Sequence, residues 1–117
     1  MGVGKADERG RALVKLPKKI NIGGFDWTIE HSKDIANEGQ VFGSTHYRTL
    51  KIFIDPQAPI QKQEQALLHE VMHACVWQCG LNRRFDNKEV IGEEDVIHSL
   101  SMALYPVLKK LGYLKGE

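Results

Sequence analysis

The hydrophobic pattern of the chain changes period once, near residue 56. Before that point, Phe25, Trp27 and Ile29 alternate with Asp26, Thr28 and Glu30, and Leu50, Ile52 and Ile54 alternate with Lys51, Phe53 and Asp55. A period of two is that of strands with one buried face. Ile20–Ile22 precedes the first run, and Gly23-Gly24 between them accepts the positive φ that a two-residue hairpin turn demands. Residues 31–40 read as a polar connection and Val41–Thr49 as a third strand, with Gly43 a candidate bulge. Asp55-Pro56 ends the sheet.

Beyond it the pattern is helical. Gln61–Cys79 is rich in helix formers and runs into Gly80, a natural left-handed C-terminal residue. Only its first turns are polar. From Ala66 to Cys79 apolar side chains occupy nearly every side, which predicts a central, buried second half. A second helix is expected from Val90 or Gly92 to Leu111, with Val96, Leu100, Ala103, Leu104, Val107 and Leu111 as its apolar face and Pro106 bending it. Strands first and helices second predict an α+β fold: a small, mainly antiparallel sheet of three or four strands followed by two long packed helices.

At 117 residues and 42% hydrophobic content the chain has room for one modest core, to whose stability a bound metal would add. Collagen-like, coiled-coil and largely disordered classes are excluded by composition. No run of 18 apolar residues exists, so no membrane span is expected, and no apolar core of a secretory signal follows the basic start. The charge is uneven. Lys5, Arg9, Arg11, Lys15, Lys18 and Lys19 face only Asp7 and Glu8 in the first 19 residues, a net +4 that leaves −3 for residues 20–117. Residues 1–17 are therefore read as a basic, mobile arm and 18–114 as the single domain. Nucleic acid is an unlikely partner apart from weak contact by that arm. Cys75 and Cys79, four apart on one helix, are poorly placed for a disulfide. They read as reduced, buried thiols of a cytoplasmic protein.

The chemistry lies at His69-Glu70-Val71-Met72-His73, an HExxH pattern. With 5 His and 9 Glu in the chain, roughly 0.02 chance matches are expected. Residues four apart share a helix face, so both imidazoles can reach one ion. Glu70, about 100° around the helix, flanks that ion and can take a proton from its water. Burying two histidines and a glutamate in an apolar helix is costly without such compensation.

Zinc held this way requires a third protein ligand. Val76 stands where the glycine of HExxHxxGxxH would turn the chain, so Cys79, in place of the third histidine, is carried away from the ion. The second helix offers Glu93, Glu94, Asp95 and His98. Glu94, His98, Ser101 and Tyr105 form a polar stripe along the edge of its apolar face, and Glu93 falls near the middle of that face. Glu94 is the choice for third ligand and Glu93 the second. His98 is either an orienting partner of a ligand or the ligand itself. Glu93 and Asp95 otherwise read as solvated positions.

HEVMH preceded by Leu67-Leu68 and followed after 20 residues by Glu94-Asp95-Val96-Ile97-His98-Ser99-Leu100-Ser101 resembles the compact gluzincin-type metallopeptidases of the ImmA/IrrE-like kind, especially short versions encoded by phages and prophages. The likeness extends upstream to Lys51-Ile52-Phe53-Ile54-Asp55 and covers residues 18–112. It implies a minimal zincin-like fold, zinc on His69, His73 and a helix glutamate, and Glu70 as general base. The third-ligand pattern, Glu-x-x-small-x-x-apolar-small, is met by Glu94, Leu100 and Ser101, while Ile97 is bulky. His98 stands where many gluzincins carry an aspartate. The bulk of Ile97 leaves the choice between Glu93 and Glu94 open, and His98 alters the expected partner of the ligands, not the zinc set itself.

The expected activity is hydrolysis of a peptide bond in a protein substrate, a regulatory protein by analogy with relatives that cleave repressors. The peptide is expected to lie along the edge strand near Val41–Tyr47, with His46, Tyr47 and Tyr105 as candidate oxyanion stabilisers. The competing reading is a phage or mobile-element partner-binding protein in which the metal is a structural staple. A nucleic-acid-associated zincin is weaker, since the main domain is near neutral. Substrate and oligomeric state do not follow from these residues.

Overall fold

The computed structural model describes residues 16–37, 41–85 and 92–112. Four strands are followed by two helices: β1 (Lys19–Ile22), β2 (Phe25–His31), β3 (Gly43–His46), β4 (Lys51–Ile54), α1 (Ile60–Gln78) and α2 (Glu93–Leu111), with short 3-10 turns at Lys33–Asn37 and Leu81–Phe85. The α+β architecture is as the pattern predicts. The basic arm falls almost wholly outside the described residues. Among the described residues no helix is long and apolar enough to cross a membrane.

The sheet order is β1-β2-β4-β3. β1 pairs with β2 and β3 with β4 antiparallel, while β2 and β4 run parallel. The parallel pair arises because the connection after β2 crosses the sheet and β3 returns along its far edge. Residues 31–40 are therefore more than a polar link: Ile35 within them is 2% exposed. Gly23 and Gly24 turn β1 into β2 at φ 60° and 95°, values that a side chain would strain.

Period two places Ile22, Trp27, Ile29, Ile52 and Ile54 on the face that packs against α1, where Ala66, Leu67 and Ala74 complete the core. Phe25, at the hairpin end, stays exposed. The third strand is shorter than expected. Its pairing covers Gly43–His46, and Leu50 at φ 57° ends the turn into β4. Gly43 is no bulge: it stands in register opposite Ile54. Asp55 stops β4, its carboxylate accepting the Gln57 amide at 2.9 Å.

Both helices depart from the expected burial. In α1 the buried residues include Gln63 and Glu64 of the polar first turns, whereas Cys75, Trp77 and Cys79 are exposed, so the cysteines are free but not buried. The first turns are held by polar partners. Gln63 accepts a hydrogen bond from His31 at 2.8 Å and donates to the Ala58 carbonyl at 2.9 Å. Glu64 accepts from Tyr105 at 2.7 Å and from Lys109 at 2.9 Å. These last two bonds also set the roll of α2. Ile97 and Ser101 are buried, while the predicted apolar face carries Leu100, Leu104, Val107 and Leu111 at 38–62% exposure. The packed face is centred on Ile97 and Ser101: of the stripe that read as an edge, Ser101 is buried and Tyr105 bonds Glu64 of α1, while Glu94 and His98 stay exposed at the rim.

Candidate metal centre

The first turn of α2 meets the middle of α1. Gly92 opens α2 in an extended conformation and donates its amide to Asp95 Oδ2 at 3.2 Å. Asp95 thus caps the helix, and three acidic residues at a helix N-terminus sit favourably in its dipole. This fixes Glu93 and Glu94 beside His69 and His73.

Three donor groups converge there. His69 Nε2 lies 3.2 Å from His73 Nε2, Glu94 Oε1 lies 2.8 Å from His73 Nε2, and Glu94 Oε2 lies 3.1 Å from His69 Nε2. Ligand atoms about 2.0–2.1 Å from a tetrahedral ion stand roughly 3.3–3.4 Å apart. The observed separations are within about half an ångström of that spacing. Glu93 has a different place: His73 Nδ1 donates to its Oε2 at 2.6 Å. The reading of Glu93 as a solvated position is therefore corrected.

That bond determines what the cluster requires. A carboxylate accepts only, so His73 carries a proton on Nδ1. The neutral ring then presents a lone pair from Nε2 to Glu94 Oε1, itself an acceptor. Only a proton or a cation between them resolves the conflict. Burial of the ring opposes its charge, but hydrogen bonds to Glu93 and Glu94, with the charges of Glu70 and Glu94, outweigh it and raise the His73 pKa above its ordinary value. The cluster thus favours positive charge at this point, and a divalent ion there would engage all three donors.

Glu70 flanks the three donors and is not part of their group. Its Oε1 accepts the Thr45 hydroxyl at 2.6 Å. The site opens into a cleft of about 750 Å³ walled by β3 on one side and by His98 and Met102 of α2 on the other. β3 is an edge strand. Asp55 donates its amide to the Phe42 carbonyl at 2.9 Å. In the antiparallel alternation this makes Ser44 a hydrogen-bonded partner of Phe53, and it turns the backbone groups of Gly43 and Thr45 to the open edge.

The remaining candidates separate. Tyr47 lines the cleft, and burial, then Glu93, Glu70 and Glu94, raise its pKa, so the phenol keeps its proton. Tyr105 does not serve the site, because its hydroxyl is committed to Glu64 and its pKa is pushed upward by burial and by that carboxylate. His46 bonds Ser44 at 3.0 Å and packs edge-on against Phe53, on the face of β3 opposite Thr45. His98 stands 6.3 Å from His69 between ring centres, outside the donor group, and Glu93 is the residue that orients His73. Sequence reasoning missed Thr45 altogether, for a lone threonine on a strand carries no signal. Glu93, read as the second choice of ligand, instead holds the other ring nitrogen of His73, a distinction that depends on the roll of α2. Compared with protein-family models, curated proteins and solved structures, the chain matches none.

Proposed function

We propose that the chain is a zinc-dependent peptidase of the gluzincin kind, with His69, His73 and Glu94 holding the ion and Glu70 as general base. The observation that carries this reading is the convergence of two imidazoles and a carboxylate beside a second carboxylate, Glu70, outside their group and at the foot of an open edge strand. Zinc bound there supplies a Lewis acid that acidifies water and polarises a carbonyl.

The chain's own groups do the rest. The extended substrate pairs with the outward backbone groups of Gly43 and Thr45, which sets its scissile bond across the cleft. Glu70 accepts a proton as water adds to the carbonyl carbon, then delivers it to the amine nitrogen as the C–N bond breaks. The Tyr47 hydroxyl donates to the oxygen on which negative charge develops. Glu93 holds the His73 ring in the tautomer that presents Nε2.

Glu70→Gln tests the assignment. The expected outcome is unchanged zinc content and fold with peptide hydrolysis lowered by about 10²–10⁴-fold. Full turnover in the Glu70→Gln chain would remove Glu70 from the mechanism. A wild-type chain that neither binds zinc nor gains stability from it would end the peptidase reading.

A further inference from the structure

We propose that Gly43 and Thr45 of β3 are positioning residues for Glu70, so that the strand which receives the substrate also aims the base. The inference rests on the peptidase reading for its functional consequence and on geometry alone for the contact itself. Two independent features of the strand point to it. The Thr45 hydroxyl donates its single proton to Glu70 Oε1 at 2.6 Å, with the Glu70 carbonyl 3.2 Å away as the weaker, alternative acceptor, so the threonine holds the carboxylate close to the helix backbone that bears it. Gly43, two residues earlier on the same face, lies directly against the Glu70 side chain. A Cβ on Gly43 would stand 2.9 Å from Glu70 Cγ and 3.4 Å from Oε2. The glycine sits in ordinary strand register, so the turn chemistry that usually explains a glycine does not apply; what it provides is space.

Together the two residues define one pose. Thr45 occupies Oε1, and the clearance over Gly43 leaves Oε2 as the oxygen free for proton transfer. The same residues turn their backbone groups to the open edge, so a peptide paired there is registered against the carboxylate without passing through any flexible link. A misplacement of about 1 Å in such a group costs on the order of 10²-fold in rate, which is the scale on which this support acts.

The test uses the full chain loaded with zinc and carrying Thr45→Val, Thr45→Ser or Gly43→Ala. Two readouts are taken: three-bond couplings about χ1 of Glu70 by NMR, and steady-state hydrolysis of a fluorogenic peptide that the wild-type chain selects from a random-sequence library. Zinc content and melting temperature are expected to be unchanged in the threonine variants. Thr45→Val is expected to average the Glu70 rotamer and to lower kcat by about 10²-fold, with KM held within about twofold. Thr45→Ser keeps the donor and restores both. Gly43→Ala forces Glu70 into a different rotamer even if it also lowers stability. A single unaltered Glu70 rotamer in Thr45→Val and in Gly43→Ala would overturn the proposal, as would a rise in KM at constant kcat, which would make Thr45 a substrate contact. If the wild-type chain cleaves no peptide while the Thr45→Val rotamer still averages, the positioning stands and the peptidase reading falls.

Discussion

Glu93 and Glu94 are neighbours in sequence with different tasks, and the difference follows from the two nitrogens of one ring. His73 meets Glu93 at Nδ1 and Glu94 at Nε2, so one carboxylate fixes the tautomer and the other completes the donor set. Glu94→Ala is expected to remove stoichiometric zinc. Glu93→Gln keeps stoichiometry and weakens affinity by about 10–100-fold, and His98→Ala leaves both unaffected; metal analysis after dialysis against graded chelator separates the three. Full occupancy in Glu94→Ala would take that residue out of the site. The raised pKa of His73 adds a pH dependence. A group whose folded pKa is raised stabilises the metal-free fold below its unfolded value, about 6.5 for histidine, and that contribution is lost as pH rises through the folded value. Zinc requires the neutral ring and competes with the same proton. The zinc-induced rise in melting temperature is therefore expected to widen from pH 6 to pH 8, measured at fixed free zinc. A gap that narrows over that range would mean that the ion does not sit on His73.

The helices show where pattern and packing part company. The strand faces, the hairpin glycines, the ends of both helices and the HExxH triad were legible because each is a local matter of period, turn chemistry or spacing. The roll of α2 was not. Its hydrophobic stripe is the stronger signal, yet Ile97 and Ser101 face inward and Leu104 does not, since Glu64 binds Tyr105 and Lys109 across 41 and 45 residues. A buried carboxylate with distant partners leaves no periodic trace, and the same holds for Thr45 beneath Glu70. The end of α1 misled in the opposite way, because an all-round apolar helix predicts burial that a two-layer fold of this size does not supply. Side-chain truncation on α2 distinguishes the two phasings. Ile97→Ala is expected to cost about 2–5 kcal/mol in chemical denaturation, the range for a fully buried aliphatic. Leu104→Ala should cost less than about 1 kcal/mol, as at exposed positions away from special features. Equal losses would restore the apolar face as the packed one.

At the scale of the molecule, the parallel β2–β4 pair explains why so short a chain can present a cleft at all. By crossing the sheet before β3, the chain leaves β3 as an edge directly beside the helix that carries His69 and Glu70. A purely antiparallel meander of the same strands would place β3 next to β2 and bury it between neighbours. Under the proposed function the edge would serve as the receptor, and recognition would rest on main-chain groups with few side-chain contacts, consistent with the modest area that a chain of 117 residues can offer. Backbone-modified substrates probe this directly. N-methylation of the peptide amides that pair with Gly43 and Thr45 removes one donor at a time. Each is expected to raise KM by about 5–10-fold, the equivalent of one net hydrogen bond of about 1 kcal/mol, while methylation at the intervening amides, which point away from the strand, has little effect. The alternation in KM along the peptide, every second residue, is the signature of an added strand. A uniform response to methylation at all positions would place the substrate elsewhere in the cleft, with β3 serving only to hold Glu70.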